Sequence, residues 1–166
     1  MTPLLHSTLA ALQELPIPTA IRENETLFPL VECIHVLAIC TVVGTIMIVD
    51  LRLLGLASRD RPVLELSRSV LSCTWIAFAV AAVTGSLLFS AKALDYAGNF
   101  YFQVKLMLLA LAGLNMAAFH FGSGRQMGEW GACVTPPLSA RIAAGLSLSL
   151  WICIVGFGRW IGFTLH

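Results

Sequence analysis

The chain has 166 residues, 58% of them hydrophobic and only 11% charged, with a mean hydropathy of +0.86. Soluble domains carry roughly 25% charged residues, so the composition excludes an ordinary soluble protein and indicates an integral membrane protein of one compact domain. A net charge of +1 and the lack of a Lys/Arg block give no footing for a nucleic-acid partner.

Residues 1–26, opening with "MTPLLHSTLAALQELPIPTA", read as an N-terminal arm. They lack the basic start of a signal peptide, and Glu14 precedes any long apolar run. Leu5, Leu9 and Leu12 fall near one helical face, which suits a short amphipathic helix on the membrane surface, ended by "PIP". A mobile tail is the alternative.

Residues 27–166 hold four stretches long enough for the roughly 20 apolar residues that a bilayer span needs. They are about 27–54, 70–94, 100–121 and 142–165. Short connections make them an all-α, up-and-down four-helix bundle. The lattice of small residues supports close helix contacts: Ala77, Ala81 and Gly85 on the second span, Gly113 and Ala117 on the third, Gly145 and Ser149 on the fourth. Arg52, Arg59, Arg61 and Arg68 lie between spans one and two, and Arg125 and Arg141 between spans three and four. Positive residues favour the cytoplasmic side, so both termini are expected in the periplasm of a bacterial inner membrane. The five cysteines (33, 40, 73, 133 and 153) form no CxxC pair and suggest neither a disulfide framework nor a zinc site. Trp130 and Trp160 suit interfacial anchoring, whereas Trp75 and Trp151 lie inside spans. No Ser-His-Asp or metalloprotease motif appears, and the sequence assigns no reaction.

Ionisable residues inside spans are the functional candidates. "FPLVECIHVLAIC" places Glu32 and His35 about one turn apart in the first span. Lys105 on the third span and Arg159 on the fourth should lie at the same outer level. Asp50, Arg52, Asn115, His120 and Arg141 form an inner level. At about 100° per residue, Glu32, His35 and Asp50 share one stripe, as do Lys105 and His120. Stripes of this kind face a bundle interior. Glu32 is placed to accept a hydrogen bond from one imidazole nitrogen of His35 and leave the other for a metal or substrate. The bland alternative is a Glu–His–Arg cluster that fixes helix register. "DLRLLG" reads as a helix end with an Asp50–Arg52 ion pair facing the cytoplasm.

His35 and His120 are separated in depth by about 15 Å or more, so they cannot both ligate one haem. If haem is bound, either His35 and His120 serve two sites or one of them is not a ligand; Lys105 for His35 and Met47 for His120 are candidate second ligands by depth, and five-coordinate iron is equally allowed. Lys105 and Arg159 could hold a haem propionate or a substrate carboxylate.

Four segments carry a resemblance: "ENETLFPLVECIHVLAI…DLRLLG", "WIAFAVAAVTGSLLF", "FYFQVKLMLLALAGLNMAAFH" and "SLSLWICIVGFGRWI". Together they resemble a family of small bacterial four-span membrane proteins known only as a domain of unknown function. More loosely, a first-span histidine with a third-span lysine resembles the four-helix b-haem type of protoporphyrinogen oxidase and the copper-resistance protein D-like membrane domains. That resemblance implies haem b and directs attention to His35 and Lys105. The leading expectation is a b-type haem protein that transfers electrons with a quinone or a periplasmic redox partner. The alternatives are a copper or small-solute carrier, and a non-catalytic accessory subunit of a larger complex. Residence in the bilayer as a homo-oligomer or a subunit of such a complex is expected in each case.

Overall fold

A computed structural model describes residues 2–57, 60, 62–125 and 135–164. They fold as helices, with no strand among them. The four long ones are α3 (Leu27–Leu53), α4 (Val63–Ala91), α6 (Phe100–Phe121) and α7 (Leu138–Thr164), each long and apolar enough to cross a membrane. Two helices form the arm, α1 (Pro3–Gln13) and α2 (Pro16–Glu23), and a short α5 (Ala93–Gly98) joins α4 to α6.

The boundaries follow local chemistry. The Asn24 carboxamide oxygen accepts from the amides of Thr26 and Leu27 at 2.9 and 3.0 Å and opens α3. Asn99 caps α6 by accepting from the Phe102 amide at 3.1 Å. The end of α3 explains "DLRLLG": the Gly55 amide donates to the Arg52 carbonyl and the Leu56 amide to the Leu51 carbonyl. This pair of bonds needs a left-handed residue, and Gly55 supplies it with φ 74°.

Two expected boundaries move. The second span starts at Val63, not near residue 70, because Pro62 presets the helix start and Glu65, Ser67, Arg68 and Ser69 are tolerated at a wet helix end. In the arm, "PIP" does not end structure. Pro16 sits in the first turn of a second helix, whose Pro18 and Ile21 are buried. Thr19 and Arg22 reach back to the Gln13 carbonyl at 3.1 and 3.2 Å. The arm is folded onto the bundle, with α2 against α3 and α4 and α1 against α4 and α5.

Among the long helices, α3 packs on α4, α6 on α7, and α3 on α7. No Cα of α4 comes within 8 Å of one in α6, and α6 buries no residue. The bundle is therefore two tight hairpins joined along α3–α7, with a looser seam between α4 and α6. Two core clusters line the joint, Leu53–Val63–Ala140–Ala144 and Val42–Ala77–Trp151–Ile154. Large side chains such as Leu37, Ile76, Leu114 and Ile152 point outward at 63%, 67%, 66% and 70% exposure, where lipid would cover them.

Polar clips join the helices of each hairpin. Thr74 donates to Thr45 at 2.9 Å between α4 and α3. Asn115 donates to the Ala143 carbonyl at 2.9 Å between α6 and α7. Because α6 has so little buried contact, Asn115→Ala should loosen it measurably, by about 0.5–1.5 kcal/mol in denaturation from mild detergent by SDS. An unchanged midpoint would show that the clip contributes nothing.

Candidate functional site

His35 lies on α3 facing α4, half-buried, with Nδ1 at 3.0 Å from the Thr84 hydroxyl oxygen. The next residue is Gly85, and a Cβ there would sit 2.9 Å from His35 Cε1. The imidazole thus occupies the space that any other residue at position 85 would fill. Ala81 and Thr84 flank it and are buried.

One arrangement of the Thr84 hydroxyl favours the tautomer of His35 protonated on Nδ1. Thr84 has one hydroxyl proton, and it is donated along its own helix to the Val80 carbonyl at 2.7 Å. In that arrangement the oxygen accepts from His35 and Nδ1 carries the ring proton. Nε2 is then an unprotonated lone pair, the form that coordinates a metal or accepts a proton. Thr84→Val keeps the shape but removes the acceptor. It should cost about 1–3 kcal/mol by stranding a half-buried N–H, and Thr84→Ser should recover most of it. Equal stability of the valine and serine variants would contradict the assignment.

Lys105, expected at the same level, is half-buried on α6. Its amine lies against α7, 3.6 Å from the position of a Cβ on Gly158, and within electrostatic reach of His35. Among the described residues it has no ion-pair partner. About one turn nearer the terminal end, three rings close the α4–α6 seam. Phe89 and Phe102 stack at 5.4 Å, and Tyr96 of α5 packs on them at 6.4 and 5.3 Å. A His–Lys pair under an aromatic roof is what the outer level contains.

Glu32 and Arg159 stand apart from it. Glu32 is exposed, and His35 Nδ1 bonds Thr84 in place of the expected carboxylate. The carboxylate instead lies close enough to act on Tyr96. Burial first, then Glu32 and Asp95, push the Tyr96 hydroxyl above its ordinary value. A phenol with a raised folded pKa stays neutral, so its contribution is intact below about pH 10 and is lost as pH rises beyond it. Arg159 is exposed and lies over the Phe163 ring at 4.7 Å.

The inner level does not assemble into one site. His120 is exposed at the end of α6 and packs edge-on against Phe119. Met47 is 44% exposed, on the outside of α3. Asp50 and Arg52 are buried at 7% and 2% exposure, so they do not face water as the helix-end reading had them. Asp50 is within reach of the Ser147 hydroxyl on α7, and its Oδ2 has no hydrogen-bond partner among the described residues. Arg141 is exposed at the start of α7. Arg59, Arg61, Trp130 and Cys133 lie outside the described residues; the other four cysteines are free and exposed.

The sequence singled out His35 and Lys105 and placed Gly85 on the small-residue stripe, but it did not single out Thr84 or the Phe89–Tyr96–Phe102 roof. The signal for Thr84 was present in "VTGS": a hydroxyl beside a glycine, one turn beyond Ala81 on the small-residue stripe.

Among the described residues no group of three or more His, Cys, Asp and Glu could hold a metal ion. A structural zinc site is built from four such ligands. Haem brings four nitrogens of its own and asks the protein for one or two axial ligands, so a single imidazole with a free Nε2 fits it. Residues 26–164 match a family of unknown function (DUF6644), and the chain belongs to that family. No curated protein and no solved structure matches the chain.

Proposed function

We propose that the bundle holds one b-type haem at the level of His35 and transfers electrons through it. The observation that carries this reading is the contact between His35 Nδ1 and the Thr84 hydroxyl at 3.0 Å. With Nδ1 held by Thr84, Nε2 of His35 would be the nitrogen that holds the iron. Lys105 supplies a cation with no ion-pair partner among the described residues, suited to a propionate in hydrocarbon, where an unpaired charge is costly. When bound, the haem would supply a one-electron couple.

The arginines favour both termini on the side away from the cytoplasm, which in a bacterial inner membrane is the periplasm. The His35 level is then nearer the periplasmic face, within range of a periplasmic donor or a quinone at the outer leaflet. His120 and Met47 are exposed, and the proposal takes one haem, at His35.

The test is an absorption spectrum of the full chain purified from membranes of a haem-replete host. The expected result is a Soret band that is lost in His35→Ala and kept in His120→Ala. A colourless protein that takes up no added haemin rejects the reading and leaves His35–Thr84 as a clip between helices.

A further inference from the structure

At the end of the bundle opposite the termini, α4 and α6 frame a groove of about 400 Å³. Its α4 wall is Leu64, Ser67, Arg68 and Leu71, spaced so that they share one helical face. His120 and Arg125 form the other side. No carboxylate lines it, and neither arginine has an ion-pair partner among the described residues.

The groove lies where a headgroup would be. Arg68 is five residues into α4, about 7.5 Å along its axis, and His120 is in the last turn of α6. Two guanidiniums with an imidazole and a hydroxyl make a donor set for phosphate, and arginine binds phosphate oxygens bidentately. The leucines on the same wall face apolar matter, which a free phosphate ion does not offer and an acyl chain does. Basic pockets between membrane helices on the arginine-rich side suit anionic lipids.

We infer that Arg68, Arg125, Ser67 and His120 bind the phosphodiester headgroup of an anionic phospholipid, with its chain along Leu64 and Leu71. This gives the inner-level histidine a role that does not depend on haem.

The experiment is native mass spectrometry of the full chain released from mixed micelles of detergent with phosphatidylglycerol or phosphatidylcholine. Wild type should retain phosphatidylglycerol and not phosphatidylcholine. The Arg68→Gln/Arg125→Gln variant should retain about 30-fold less, roughly fivefold per arginine. Both side chains are exposed, and the two-lipid comparison on wild type stands without any variant. Equal retention of the two lipids, or undiminished phosphatidylglycerol on the double variant, overturns the proposal. So does displacement of the lipid by millimolar glycerol phosphate, which would assign the groove to a soluble phosphate ester instead.

Discussion

Gly85→Leu should empty the His35 site while leaving the helices in place. A Cβ at residue 85 lands 2.9 Å from His35 Cε1, closer than carbon atoms tolerate, and the leucine branches extend further into the same space. The ring must leave Thr84, because α3 and α4 are already in close contact there. Overpacking of this kind costs about 1–3 kcal/mol, and the broken bond to Thr84 adds to it. The expected outcome is a lower SDS unfolding midpoint with helix content unchanged by circular dichroism. If haem is bound, its Soret band should go as completely as in His35→Ala. Gly113→Leu is the matched control, since a Cβ at 113 meets nothing within 4 Å. Should both substitutions behave alike, the contact between His35 and Gly85 has no energetic weight.

How much of this was legible in the sequence depends on the length scale. Span number follows from hydropathy, and four helices of the required length and apolarity are present. The Ala77–Ala81–Gly85 stripe is likewise a direct reading, because only small residues let α4 approach α3, and Ala77 and Ala81 are buried. The same rule misleads on α6, where Gly113 faces open space. A stripe shows that a helix could be approached closely, not that a neighbour has come. Glu32 illustrates a second gap. It is His35's neighbour at i−3, yet near the helix start a carboxylate is better served by water and headgroups than by an interior imidazole. The actual partner, Thr84, is 49 residues away. Helical phase put His120 on the stripe of Lys105, but phase fixes direction only. Since α6 stands off from α4, the end of that stripe opens onto a groove and not into a sealed interior.

The two hairpins should separate in Ala144→Leu, because the α3–α7 joint depends on residues without bulk. Ala140 and Ala144 are 0% and 1% exposed against Leu53 and Val63. In lipid, no hydrophobic gain drives helices together, since acyl chains are as apolar as leucine. Close packing of backbone and short side chains must supply the attraction, and dispersion falls away steeply once the two surfaces part. A leucine at 144 has no cavity to fill, so α7 must move away from α3. The cost should be about 1–3 kcal/mol, with a further effect reaching the next cluster along the joint, where Trp151 and Ile154 pack on Val42. Ile152→Ala, one helix face away and 70% exposed, should be nearly neutral because it exchanges contacts with lipid alone. Measured side by side in SDS titrations, the alanine-to-leucine change should be the larger perturbation even though it adds apolar surface. The reverse order would mean that burial of apolar area, and not fit between α3 and α7, holds the two halves together.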